Sequence, residues 1–345
     1  MNTRDFTFDL PEELIAQFPS SERGKDRLML LDRSCGDLSR CTKDFLMEDL
    51  PDLIDEGTLM VFNDSKVRRA RIFGNAKDSG AKCQFLLLKN LGENRWLAML
   101  NHAKRQRPGR EYFFPGNVTG KITGIENQYR IIEFSSLIDD DWLEKYGHIP
   151  LPPYIKREDV SFDGERYQTV YAREVGSVAA PTAGLHFTRE ILNRLAEKNI
   201  ETAWVTLHVG LGTFLPVRTE RIEDHVMHRE VYSVPERTAS VVTEAKKSGR
   251  PVLAVGTTSI RTLESAWDET GGCLRSGEDS TGIFIYPGYK FKVVDQVFTN
   301  FHTPESTLLM LVSAFAGREK ILTAYKTAVE KKYRFFSYGD GMLIK

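Results

Sequence analysis

The sequence predicts an α/β main domain carrying an inserted small all-β barrel, and three observations lead there. At 345 residues the chain exceeds the usual single-domain size of ~100 to 200, so two domains are the default expectation. A central stretch is rich in short aromatic and β-branched runs, "TLMVF", "CQFLLL", "WLAML", "EYFF", "GKITGI" and "YRIIEF", separated by Gly, Asn, Asp or Pro, as in a barrel. Both flanks instead alternate strand-like and helix-like periods. The expected division is residues 1–57 together with 150–345 as a discontinuous α/β domain, and 58–149 as the barrel. The proline-punctuated "YGHIPLPPYI" is read as the return crossing.

Within the second flank, "RYQTVYA" is expected to be extended. The small, nearly uncharged "APTAGLHFT" then leads into the helix "REILNRLAEKNI", where Thr188 stands at an N-cap position and Glu190 in the first turn. Such a helix start offers free backbone N–H groups, and small residues before it allow a ligand close approach. The strand "ETAWVTLHV" runs into "GLGTF", and "PVLAVGTTSIRTLESA" reads as buried strand, turn and amphipathic helix. In open α/β sheets such strand-to-helix turns gather ligands at the carboxyl ends of the strands. In "FHTPESTLLMLVSAFAG", Thr303 is expected to cap a buried helix with Pro304 at its first position and Gly317 as its stop.

Charge is distributed unevenly. Between Gly57 and Phe134 there are 14 Lys and Arg against 6 Asp and Glu, and elsewhere 33 against 42. The basic residues cluster in "SKVRRARIFG" and "HAKRQRPGR", so Lys66, Arg68, Arg69, Arg71, Lys104, Arg105, Arg107 and Arg110 are candidates for phosphate contact, the alternative being a solvated face.

Other classes find little support. No apolar run approaches the ~20 residues of a membrane span, and the amino terminus lacks the basic start and apolar stretch of a secretory signal, so a folded cytoplasmic protein is expected. Cys35, Cys41, Cys83 and Cys273 form no C-x-x-C pair, which argues against a disulfide framework or a thiolate zinc site. His225 and His228 would share a helix face if "HVMHRE" were helical, but further ligands are not evident from spacing, and no metal is expected. "GLGTF" lacks the full G-x-G-x-x-G spacing, so a dinucleotide-dependent oxidoreductase is a weak alternative; a non-catalytic RNA-binding module is the other. His186, His208 and His302 lie at expected element ends beside small or polar residues, where catalytic groups tend to sit.

Together, "FDLPEELIAQFP", "VFNDSKVRRARIFG", "GSVAAPTAGLHFT", "TLHVGLGTF", "HVMHRE", "AVGTTSIRTLES", "IFIYPGYKFKVVD", "TNFH" and "RFFSYGDGMLI" resemble the S-adenosylmethionine:tRNA ribosyltransferase-isomerases of queuosine biosynthesis over nearly the whole chain. Leu215, Gly282 and Asp26 depart from that family's pattern, Asp26 standing where Ser is usual. The resemblance implies transfer and isomerisation of the ribosyl moiety of S-adenosylmethionine onto a 7-aminomethyl-7-deazaguanine (preQ1) in the tRNA anticodon wobble position. It implies the products epoxyqueuosine-tRNA, adenine and methionine, no permanently bound cofactor, and a monomer. Such chemistry needs a general base, for which His186 is the first candidate and His208 the second, and polar groups for the cosubstrate. Thr182, Gly184, Gly256, Thr257, Thr258, Ser259 and Arg261 are the candidates for the latter, and Asp64 and Lys66 for meeting the target nucleotide.

Overall fold

The computed structural model describes residues 1–210 and 217–345. The chain opens with β1 (Arg27–Leu31), β2 (Thr42–Leu46), the short helix α1 (Leu50–Leu53), β3 (Leu59–Asn63) and β4 (Ser65–Val67). Six strands follow: β5 (Arg71–Ala76), β6 (Lys82–Gly92), β7 (Arg95–Leu100), β8 (Glu111–Phe114), β9 (Val118–Glu126) and β10 (Tyr129–Phe134). Next come α2 (Asp140–Tyr146), α3 (Asp163–Arg166), β11 (Glu174–Ser177), α4 (Arg189–Glu197), β12 (Glu201–Leu207), β13 (Glu230–Val234), α5 (Glu236–Lys247), β14 (Val252–Val255) and α6 (Thr257–Ala266). The short β15 (Trp267–Asp268) and β16 (Cys273–Leu274), then β17 (Gly277–Thr281), β18 (Gln296–Asn300), α7 (Thr307–Ala316), α8 (Arg318–Glu330) and β19 (Gly341–Ile344) complete it.

Nine strands form one mixed sheet in the order β17-β13-β12-β3-β14-β18-β19-β1-β2. Its centre, β12-β3-β14-β18, is parallel, so four carboxyl ends point the same way. β3 is buried along its whole length, as a strand covered on both faces must be, and therefore reads as the continuous apolar run "LMVF". That corrects one expectation: the composition of "TLMVF" points to the barrel, whereas its partners β12 and β14 place it in the middle of the large sheet. The barrel itself is closed, in the order β10-β7-β6-β5-β8-β9, and spans residues 71–134. Alternate positions such as Ile72, Phe85, Trp96, Tyr112, Phe114, Ile122 and Ile132 fill its interior. The fold is thus an α/β body with a small all-β barrel whose strands lie between β4 and α2 in sequence.

Helix α4 starts as its sequence requires, with Thr188 Oγ1 accepting from Ile191 N at 3.1 Å. Helix α7 starts three residues later than expected. Ser306, not Thr303, is the cap, its Oγ accepting from Leu309 N at 3.2 Å, so Pro304 lies before the helix; Gly317 ends it as expected, with φ 91°. "RYQTVYA" is not a strand: Arg166 closes α3, and the strand is the following Glu174–Ser177. "HVMHRE" is not helical either, which removes the shared helix face of His225 and His228. Among the described residues no group of three or more His, Cys, Asp or Glu could hold a metal ion, and no helix is long and apolar enough to cross a membrane.

Candidate functional site

A cavity of about 260 Å³ opens at the carboxyl ends of β12, β14 and β18. Its wall is drawn from the small-residue loop before α4 (Thr182, Ala183), the start of α6 (Gly256, Thr257, Thr258) and the segment after β18 (Asn300, His302). Gly256 sits at φ 85°, a left-handed conformation that only glycine adopts without strain, and this turns the chain from β14 directly into α6. The helix start therefore presents its first N–H groups and its positive dipole end to the cavity.

The hydroxyl of Thr258 is held by a side chain that sequence reasoning passed over. Asn63, at the end of β3, donates from Nδ2 to Thr258 Oγ1 at 3.1 Å and to the Leu207 carbonyl at 3.0 Å, while its Oδ1 accepts from Ser65 N and Leu207 N, both at 3.1 Å. All four hydrogen-bonding positions of this amide are filled, tying β3, β12 and α6 together. Thr258 Oγ1 is thereby an acceptor inside the protein, which leaves its own proton for a ligand.

The other expected cosubstrate residues divide. Thr182, Gly256 and Thr257 line the cavity with Thr258. Ser259 is fully buried and donates to the Val255 carbonyl at 2.8 Å, so its hydroxyl serves the helix. Arg261 is buried in an ion pair with Glu230 and does not line the cavity. Gly184 owes its identity to packing, since a Cβ there would stand 2.1 Å from Tyr171 Oη. From Leu211 onward, "GLGTF" and the departing Leu215 lie outside the described residues.

The two candidate bases are in opposite situations. His186 is 2% exposed, its Nδ1 2.8 Å from Asp26 Oδ2 and its Nε2 3.0 Å from Asn300 Nδ2. Both ring nitrogens of His186, the first candidate for the base, are engaged by protein groups. Burial pushes the Asp26 carboxyl up, but His186, Ser20 and Arg334 outweigh it and hold Asp26 below the usual carboxylate range. His208 follows β12, and among the described residues neither of its ring nitrogens has a hydrogen-bond partner; Nδ1 is buried. Burial, with the Arg68 charge, lowers its pKa, so its imidazole is neutral and free. A third histidine, His302, lines the cavity with Nε2 3.0 Å from Thr299 Oγ1, and burial pushes its pKa down to about 3. Such a ring is a neutral hydrogen-bonding group and a poor proton acceptor.

The basic residues also separate into two groups. Arg68 pairs with Asp140 (2.7 Å) and Arg69 with Glu144 (3.1 Å), both acids on α2, and Arg71 lies 3.9 Å from Asp159. Asp64, expected to meet a nucleotide, is buried: Thr206 Oγ1 donates to its Oδ1 and Arg173 Nη2 pairs with its Oδ2, each at 2.7 Å. Burial raises its pKa. Lys66 is exposed on β4. Lys104, Arg105 and Arg107 are exposed on the β7–β8 loop and make no ion pair with any described residue. That loop is built around Arg130, a buried guanidinium donating from Nε to the Gln106 carbonyl (2.7 Å) and from Nη2 to the Ala103 carbonyl (2.5 Å). Sequence alone counted Arg130 among the charges; its neighbours make it a scaffold.

Comparison with known proteins decides the family. A family model described as "Queuosine biosynthesis protein" matches residues 3–344. The chain belongs to the queuosine biosynthesis protein family. It is 55% identical over 351 residues to the S-adenosylmethionine:tRNA ribosyltransferase-isomerase of Treponema denticola, covering 100% of both chains. It is 50% identical to the protein of that name from Trichlorobacter lovleyi, again over 100% of each. The crystal structure of S-adenosylmethionine tRNA ribosyltransferase from Thermotoga maritima is similar with a TM-score of 0.56 at 33% identity, over 99% of this chain and 100% of that one. As a member of this family the chain is an enzyme, a transferase.

Proposed function

We propose that the chain transfers and isomerises the ribosyl moiety of S-adenosylmethionine onto the aminomethyl group of a 7-deazaguanine in the tRNA wobble position, yielding epoxyqueuosine-tRNA, adenine and methionine. The observation that carries this reading is the polar wall of Thr257, Thr258 and His302 at the carboxyl ends of parallel strands, in a chain of this family. S-adenosylmethionine occupies that cavity as a cosubstrate, with no permanently bound cofactor, and tRNA approaches from the basic barrel. The protein works as a monomer in the cytoplasm.

The sulfonium acidifies the adjacent C5′ hydrogens and later leaves as neutral methionine thioether. Loss of the C5′ proton to a base begins the sequence. Adenine departs as the sugar opens, the substrate amine bonds to the fragment, its carbons reclose to a cyclopentane, and an oxygen displaces sulfur to form the epoxide. His208, next in sequence to the cavity-lining Val209 though not itself in the lining, is assigned the base, because its ring is neutral and unpartnered among the described residues while that of His186 is occupied on both sides. Incubation with precursor-modified tRNA and C5′-deuterated S-adenosylmethionine tests this: adenine and methionine appear in equal amounts, and His208→Ala abolishes exchange of C5′ deuterium into water. Absence of adenine release from the wild type would refute the function; retained exchange in His208→Ala would refute the base.

A further inference from the structure

Asn300 ends β18 on the cavity wall, and its amide is spent inward. Nδ2 lies 3.0 Å from His186 Nε2 and 3.1 Å from the Phe336 carbonyl. A carbonyl only accepts, so Phe336 fixes the nitrogen end of the amide toward the protein interior. His186 Nε2 must then accept as well, which places the ring proton on Nδ1, where Asp26 Oδ2 receives it at 2.8 Å. Arg334 Nη2, 2.9 Å from Asp26 Oδ1, completes a chain of four side chains that determines how Asn300 is turned. What remains is Asn300 Oδ1, which is buried without a partner. Among the described residues lining the cavity it is the one buried side-chain polar atom in that condition. A buried acceptor without a donor is costly and rare, and on a residue that lines a ligand cavity it is the acceptor to which a ligand donor would be matched.

Its surroundings select the donor. The rings of Tyr154 and Phe336, 4.8 Å apart, and Pro181 give this part of the cavity flat apolar surface, which suits a purine. Adenine presents an N–H donor at C6, where a 6-oxo purine presents an acceptor. We propose that Asn300 Oδ1 accepts from the exocyclic amine of the cosubstrate's adenine and makes the cavity selective for adenine over 6-oxo purines, with Asp26 and His186 as positioning residues. The assignment rests on the cavity being the cosubstrate site. It also gives a use to Asp26, a departure from the family's sequence pattern, and to the loop histidine that is not free to act as base.

Isothermal calorimetry with S-adenosylhomocysteine and S-inosylhomocysteine, two unreactive thioether ligands differing at purine C6, tests it. The wild type binds the adenosyl ligand at least about tenfold more tightly, as a buried acceptor left facing an acceptor requires. Asn300→Ala brings the two affinities within about twofold of each other, weakening the adenosyl ligand and leaving the inosyl ligand bound at least as tightly as by the wild type, which shows that the cavity is intact. Asp26→Ala narrows the preference without touching either ligand, whereas a merely structural role would lower both affinities in parallel. A wild type that binds both ligands equally, or an Asn300→Ala variant that keeps the preference, overturns the role of Asn300. An Asp26→Ala variant with the wild-type ratio overturns the positioning chain. A wild type that binds neither ligand overturns the cosubstrate reading itself, and this proposal with it.

Discussion

Neutralising the β7–β8 loop is the sharpest test of where tRNA lies, because the structure separates free from compensated cations. Lys104, Arg105 and Arg107 are exposed and without ion pairs among the described residues, whereas Arg68 and Arg69 already face Asp140 and Glu144. Each phosphate contact contributes ~0.7 to 0.9 to the slope of log K against log salt. Replacing the three loop cations by Gln therefore lowers the slope by about 2.1 to 2.7. Between 50 and 200 mM salt that corresponds to about 20- to 40-fold less loss of affinity in the variant than in the wild type. The measurement is fluorescence anisotropy of labelled tRNA across that salt range, with S-adenosylmethionine affinity as control. The double replacement of Arg68 and Arg69 changes the slope by less than the loop does, since it also frees two acids. An unaltered slope in the loop variant, or a larger change from Arg68 and Arg69, refutes the placement of tRNA along this loop.

Thr258→Val leaves one N–H of buried Asn63 without its acceptor, so unfolding stability falls by about 1 to 3 kcal/mol in urea titrations, alongside any loss of cosubstrate affinity. Unchanged stability would show that Asn63 does not depend on that hydroxyl. Asp163 is fully buried, bidentate with Arg157 at 2.6 and 2.8 Å, and accepts from Tyr338 Oη at 2.7 Å. Burial alone would raise its pKa, but Arg157, the Val160 N–H and Tyr338 lower it below the usual value. A folded-state pKa below the unfolded one gives stability that is present above pH ~4 and is lost as pH falls through the depressed value. Asp163→Asn strands the Arg157 charge, costs about 3 to 5 kcal/mol at neutral pH and flattens the acid limb of the stability profile. Thermal melts from pH 3 to 7 read both effects, and an acid limb of wild-type steepness in the variant would count against the pair.

The local elements were legible where a residue acts on its own backbone. Thr188 caps α4, Gly256 makes the positive-φ turn into α6, and the alternating runs from Arg71 onward form a barrel. Composition misled where two environments share one pattern. "TLMVF" is as apolar as a barrel strand, and only its pairing with β12 and β14 shows that it is the buried centre of the other sheet. Thr303 and Ser306 both satisfy the chemistry of a cap, and the fold chose the one nearer the apolar run.

Sequence by itself determined the family, the two kinds of fold and the motifs that meet at the cavity, because each rests on short-range pattern. Tertiary structure decided what each polar group is free to do. On paper His186 is the first candidate for the base and His208 the second; Asp26 and Asn300, 160 and 114 residues away from His186, engage both ring nitrogens of the one, while the other has no hydrogen-bond partner among the described residues. The same holds for the cations, since Arg130 is a buried scaffold and Arg105 an exposed charge within one basic segment. A hydrogen bond or ion pair depends on distances of about 3 Å between groups remote in sequence, and those distances exist only once the chain has folded.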